Sequence, residues 1–251
     1  MRNALLIVAG AWLALLAPSA PAQTLSYGRF GNITLYRGAQ PKALVLFLSG
    51  DGGWNLGVVS MAEHLADMHA VVAGIDIRHY LGELESAKEP CVSPADDFKQ
   101  LGAHLAAELK LDFKTAPTLV GYSSGATLVY AALIEAPAGT FQGALSLGFC
   151  PDLELKKPVC RGEGITSTPR KNSKGVQNGV NFLPAKKLPA PWIALQGALD
   201  QVCIAPDTEK FTTEVPGSDY VLLPKVGHGY GVERNWLPQY QAAFKKIVGA
   251  R

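Results

Sequence analysis

The residue pattern predicts an α/β protein: a mostly parallel central sheet with helices on both faces. Three observations carry this. Short apolar runs alternate along the chain with segments of helical spacing, which is how parallel strands and their crossover helices follow one another. The runs are continuously apolar rather than alternating, as in "ALVLFLSG" from Ala43 to Gly50, and this suits strands covered on both sides. No internal repeat or linker interrupts the series, so one domain is expected, within the usual limit of about 250 residues.

The elements follow in order. A hairpin signal spans Leu25 to Tyr36, and the run ending at Gly50 is the first parallel strand. Val58, Met61, Ala62, Leu65 and Met68 recur at helical spacing, and "VVAGIDI" (Val71 to Ile77) is the next strand. Ser93 and Pro94 supply an N-cap and a first-turn proline for a helix whose buried stripe is Phe98, Leu101, Leu105 and Leu109. Then come the strand "PTLVGY", a helix from Ser124 to Ala136, the strands "FQGALSLG" and "PWIALQG", a helix near Pro206, the strand "DYVLLP" and a last helix from about Glu233. The stretch from Asp152 to Pro189 has no clear period and reads as a long loop.

The N-terminus has a different character. Arg2, an apolar block from Ala4 to Ala17 and the small-residue Ala20-Pro21-Ala22 have the layout of a cleaved secretory signal. The block is shorter than the about 20 residues that span a bilayer. Residues 1–22 are therefore expected to be a cleaved signal peptide and 23–251 the folded, exported domain. The 48% hydrophobic content supports a real core, and a net charge of +2 is too small to argue for nucleic acid.

Cys91, Cys150, Cys160 and Cys203 include no close C-x-x-C pair, so no metal site is expected and disulfides are. Of the three pairings, Cys150 with Cys160 closes a short local loop and leaves Cys91 with Cys203, and this is the preferred one.

The stretch that carries chemistry is "LVGYSSGATLVYAAL", Leu119 to Leu133. It runs from an apolar strand through G-x-S-x-G into a helix, the context in which that motif presents a nucleophilic serine. Gly121 and Gly125 allow the sharp turn, and the helix behind Ser123 aims its free N–H groups at a developing oxyanion. A serine hydroxyl needs a base oriented by a carboxylate. Four of the five histidines precede Ser123; only His228, in "PKVGHGYG", follows it, as the chain order serine, acid, histidine requires.

For the acid, Asp200 follows the "WIALQG" strand and is favoured over Asp152, which follows "ALSLGFC"; Asp207 reads as a helix cap. "LSGDGGW" follows the first parallel strand, where the amide of Asp51 or Gly52 would partner that of Ser124 in an oxyanion hole. Trp54 and Tyr122, which adjoin these turns, are assigned to substrate binding. The chemistry calls for no cofactor.

In order, "FLSGDGGW", "VVAGIDIRHYL", "LVGYSSGA", "QGALDQVC" and "GHGY" resemble the α/β-hydrolase superfamily and, within it, the bacterial virulence protein VirJ and AcvB group. The resemblance covers most of residues 23–251. It implies a periplasmic serine hydrolase acting on aminoacylated phosphatidylglycerol, notably lysyl-phosphatidylglycerol, with nucleophile, acid and histidine at Ser123, Asp200 and His228. Ser124 and Thr127 stand where the group often has phenylalanine and aspartate, which leaves the acyl specificity open.

One feature of the residues fits a lipid. Between Pro151 and Ala190 lie Lys156, Lys157, Arg161, Arg170, Lys171, Lys174, Lys186 and Lys187, against Asp152, Glu154 and Glu163. Basic segments attract anionic headgroups at about 1 kcal/mol per residue, and Lys171 and Lys174 are candidates to hold the phosphate of an anionic phospholipid. Two other readings stand beside this one: an esterase or thioesterase for small soluble esters, and a binding module for secretion-system components on a hydrolase scaffold.

Overall fold

The structure, a computed structural model, describes residues 23–112 and 115–249; the expected signal peptide, residues 1–22, lies outside the described residues. β1 (Gln23–Ser26) and β2 (Asn32–Arg37) form the opening hairpin. β3 (Ala43–Leu48), α1 (Leu56–Asp67), β4 (Ala70–Ile75), α2 (Ile77–Ser86), α3 (Pro94–Glu108), β5 (Thr118–Tyr122), α4 (Ser124–Glu135) and β6 (Gly143–Leu147) follow. β7 (Asp152–Leu153), β8 (Ser167–Lys171) and β9 (Gln177–Phe182) are set apart, and β10 (Trp192–Gly197), α5 (Ala205–Thr213), β11 (Asp219–Leu223) and α6 (Leu237–Gly249) close the chain.

Eight strands make one sheet in the order β1-β2-β4-β3-β5-β6-β10-β11. Every pairing from β4 to β11 is parallel, and only the β1–β2 and β2–β4 contacts are antiparallel. The continuous apolar runs now have their cause. All six residues of β3 are buried, but alternately into two cores: Leu44, Leu46 and Leu48 face one with α3 and α4, while Ala43, Val45 and Phe47 face another with α1 and α6. The turns that follow β3, β5, β6, β10 and β11 all leave the C-terminal edge of this sheet, where open α/β sheets place their ligands.

Three readings change. "VVAGIDI" is two elements: β4 ends at Ile75, Asp76 caps the next helix by accepting from the Arg78 amide, and α2 begins at Ile77. The 152–189 stretch is no loop but a small antiparallel sheet, β7-β9-β8, laid over α4. Its Leu153, Val180 and Phe182 join the core, and the Tyr130 hydroxyl donates to the Leu183 carbonyl and accepts from the Ala185 amide. Helix α4 is apolar all round because it is covered on every side. Finally, Asp207 lies in the first turn of α5, whose N-cap is Ile204.

The disulfides are Cys91–Cys160 and Cys150–Cys203, not the expected pairing. Loop length misled, and topology explains the result. Cys150 and Cys203 follow β6 and β10, neighbouring strands paired at Leu147 and Leu195, so their Cα atoms come within 5.1 Å. Cys160 returns to the start of α3, where Val92 and Val159 form a parallel bridge. Among the described residues, no helix is long and apolar enough to cross a membrane.

Candidate active site

The turn between β5 and α4 shows why it needs its two glycines. Ser123 has φ +55° and ψ −124°, a strained conformation for a residue with a Cβ. A Cβ at Gly121 would stand 2.2 Å from the Gly125 carbonyl oxygen, and one at Gly125 would stand 2.4 Å from that of Ser49. Both are van der Waals collisions, so strand, turn and helix close up only around hydrogen atoms. The Ser123 amide donates to the Leu147 carbonyl and its own carbonyl accepts from the Ala126 amide. The backbone is thus fixed on both sides of the hydroxyl.

That hydroxyl meets the histidine. His228 Nε2 lies 2.9 Å from Ser123 Oγ, and His228 Nδ1 lies 2.8 Å from Asp200 Oδ2. Asp200 is 2% exposed. Burial pushes its carboxyl up, but hydrogen bonds from His228 and from the Cys203 and Val202 amides outweigh this and hold it below its ordinary value. Gln196, buried on β10, donates from Nε2 to Asp200 Oδ2 and to the Cys203 carbonyl, while its Oε1 accepts from the Phe149 amide. Sequence reading missed Gln196; a buried amide at the end of a strand leading to the acid is the signal that was there.

Asp152, the rival acid, pairs with Arg170 at 3.0 Å and not with His228. Asp200, Cys203 and His228 offer ligand atoms within 4.8 Å of one another. The Cys203 sulfur is committed to its disulfide with Cys150, so the set suits a hydrogen-bonded chain better than a metal.

Asp51, Ser123, Ser124, Thr127, Cys150, Asp152, Leu153, Glu154, Arg170, Val202 and Cys203 line a shallow cleft. The Ser124 hydroxyl donates to Asp51 Oδ1 at 2.6 Å, tying the turn after β3 to the turn between β5 and α4. Gly50 lies against Ser123, and the exposed Gly52 accepts a hydrogen bond from Asn55 Nδ2. Asp76 braces this turn from below, accepting from the Trp54 amide and from Arg78, whose hydrogen bond holds its carboxyl below the usual range.

The four residues assigned to substrate binding lie outside the cleft lining. Trp54 packs over Gly74 and edge-on to Phe47, with its indole N–H on the Tyr36 hydroxyl; it is a packing residue because its ring fills the space a Gly74 side chain would take. Tyr122 donates its hydroxyl to the His228 carbonyl and faces the imidazole at 5.5 Å, so it positions the histidine loop. Lys171 and Lys174 are exposed on the β8–β9 hairpin, while their neighbour Arg170 reaches the cleft, paired with Asp152 and Glu154.

The family model described as "Bacterial virulence protein (VirJ)" matches residues 42–147. A comparison with curated proteins finds no match. Among solved structures, esterase 2 of Thermogutta terrifontis, phosphorylated by paraoxon, superposes with a TM-score of 0.60 at 14% identity over 95% of this chain and 98% of its own. The dienelactone hydrolase of Anabaena variabilis gives 0.57 at 17% over 89% and 96%. XC6422 of Xanthomonas campestris, described as an α/β serine hydrolase without lid, gives 0.54 at 16% over 95% and 97%. The fold is that of the α/β hydrolases.

Proposed function

From an α/β-hydrolase fold with a VirJ match over residues 42–147, we propose that this protein is a periplasmic serine hydrolase that cleaves the aminoacyl ester of an aminoacylated phosphatidylglycerol, of the lysyl-phosphatidylglycerol kind. One observation carries the chemistry: the unbroken chain from Ser123 Oγ through both nitrogens of His228 to Asp200. With Asp200 ionised, the proton of the neutral imidazole sits on Nδ1 and Nε2 is left as a base. It takes the hydroxyl proton as Oγ attacks the ester carbonyl. The resulting oxyanion faces the amides of Ser124 and of Asp51 or Gly52, the glycerol oxygen leaves with the proton from Nε2, and water repeats the sequence to free the acid.

The cleft supports the choice of substrate. The carboxylates of Asp51, Asp152 and Glu154 suit the ammonium groups of an aminoacyl ester, and Arg170 suits the adjoining phosphate. Two disulfides fit an exported protein. Ser123→Ala is expected to abolish labelling by a fluorophosphonate and to lower turnover by about 10⁴-fold or more while leaving the fold intact. Release of free lysine from lysyl-phosphatidylglycerol vesicles tests the substrate. Ser123-dependent cleavage of soluble esters with no lysine release would replace the lipid reading by that of a general esterase.

A further inference from the structure

The loop that carries Asp200 holds three aliphatic side chains out in solvent: Leu199, Val202 and Ile204 are 59, 64 and 53% exposed. Single exposed apolar residues are ordinary. Three within six residues on the loop that carries Asp200 are not, because this loop has no freedom to tuck them away. The Leu199 amide donates to the Val226 carbonyl, the Val202 and Cys203 amides donate to Asp200, the Cys203 carbonyl accepts from Gln196, and Cys203 is bonded to Cys150. Turning the aliphatic groups inward would dismantle the hydrogen bonds that hold Asp200.

Val202 lines the same cleft as Ser123. Elsewhere on the cleft wall, Arg170 leads into the β8–β9 hairpin, where Lys171 and Lys174 are exposed and Val176 is 60% exposed. The cleft is therefore bordered by a rigid aliphatic loop and by a hairpin that is basic and aliphatic at its tip.

We propose that this rim is an interfacial docking surface for an anionic lipid bilayer, with Leu199 and Ile204 entering the acyl boundary and Lys171 and Lys174 meeting phosphates of neighbouring lipids. The choice of a bilayer rests on the hydrolase reading; charge complementarity and the mixture of aliphatic and basic groups argue for it independently, since interfacial binding combines buried apolar area with attraction to anionic headgroups. The surface also gives Lys171 and Lys174 a place in the chemistry, although neither reaches the cleft. They act on the membrane around the substrate rather than on the substrate itself.

The test uses the purified protein, vesicles of phosphatidylcholine with and without phosphatidylglycerol, and a short soluble p-nitrophenyl ester. Leu199→Ser with Ile204→Ser is expected to weaken co-sedimentation with phosphatidylglycerol vesicles by about tenfold or more and to leave soluble-ester hydrolysis at the parental rate. Lys171→Ala with Lys174→Ala is expected to weaken it mainly at low salt. In Leu199→Trp, vesicles with brominated acyl chains should quench fluorescence beyond that of the parent. Parental binding by the serine double variant, without added quenching in Leu199→Trp, overturns the proposal and leaves the hydrolase reading standing. A parental dimer that the serine variant dissolves, with no vesicle binding by either, overturns it in favour of self-association. Loss of binding in the serine variant of a protein that cleaves no ester keeps the surface and removes the hydrolase reading.

Discussion

Asp200 and Glu135 are 2% and 3% exposed, and the fold treats them in opposite ways. Asp200 sits among donors: the Val202 and Cys203 amides, Gln196 Nε2 and His228 Nδ1 all approach within 3.1 Å. Its carboxyl is held below the ordinary range despite burial. Glu135, at the end of α4, receives the Ala95 amide on Oε2, while its Oε1 has no hydrogen-bond partner. Burial pushes it up to about 7, the Ala95 amide and Ser93 hydroxyl pull against that, and Asp96 and Asp97 add to it. Burial sets the cost of a charge, and the number of donors decides whether the charge survives. Each carboxylate also has a disulfide beside it: Cys150–Cys203 near Asp200, and Cys91–Cys160 through Cys160 near Glu135.

The sharpest way to break this comparison is at Asp200 itself. Asp200→Asn keeps the shape but places an amide against His228 Nδ1 and favours the wrong tautomer, so turnover of any ester substrate should fall by about 10³- to 10⁴-fold. Asp152→Asn should change turnover of a small uncharged ester little, because Asp152 pairs with Arg170 and not with His228. Steady-state kinetics on both variants checks this; near-parental turnover in Asp200→Asn with a collapse in Asp152→Asn would move the role to Asp152. The depressed carboxyl also sets a direction for stability. Its contribution is present above the ordinary aspartate value and is lost as pH falls through the folded one.

A smaller effect sharpens the comparison through the disulfides. Their sequence separations, 53 and 69 residues, are so similar that the chain-entropy account gives each about 4 kcal/mol. Replacing either pair by serines should therefore lower the melting temperature by similar amounts. Turnover should separate them. The Cys203 amide donates to Asp200, so loss of Cys150–Cys203 should misplace the acid and slow the reaction by roughly tenfold to a hundredfold, while loss of Cys91–Cys160 should leave kcat near the parental value. Equal kinetics in the two double variants would mean that the bond near Asp200 does no positioning.

The sequence carried the parallel sheet because buried strands advertise themselves as continuous apolar runs, and it carried the meeting of Ser123 with His228 because order along the chain left one histidine beyond the serine. It did not carry what depends on neighbours distant in sequence. The disulfide partners are set by β6 lying beside β10, which no local spacing encodes. Helix α2 escaped because it follows β4 with only Asp76 between them, and a strand running into a helix with no glycine or proline between looks like one apolar segment. The 152–189 stretch hid its small sheet because only Leu153, Val180 and Phe182 of its strand residues turn inward, too few to set up a period. Trp54 and Tyr122 adjoin the two turns along the chain, but adjacency does not say which way a ring points: Trp54 packs edge-on to Phe47 and Tyr122 holds the His228 carbonyl.

The smallest effect concerns Glu135 and is read as stability against pH. A carboxyl whose folded value is raised from 4.5 to about 7 binds its proton more tightly in the native state than in the unfolded chain. Its stabilising contribution is fully present below the unfolded value and is lost as pH rises through the folded one. Between pH 5 and pH 8 this amounts to about 3 kcal/mol at most, in a group the fold holds among Asp96, Asp97 and Glu163. Glu135→Gln keeps an oxygen for the Ala95 amide and removes the titration. The parental melting temperature should fall between pH 5 and pH 8, and that of Glu135→Gln should fall less. Activity should not distinguish the two proteins, because Glu135 lines a different cavity from the one beside Ser123. Parallel melting curves for both proteins over that range would show that Glu135 is held ionised, as Asp200 is, and that donors do not account for the difference between them.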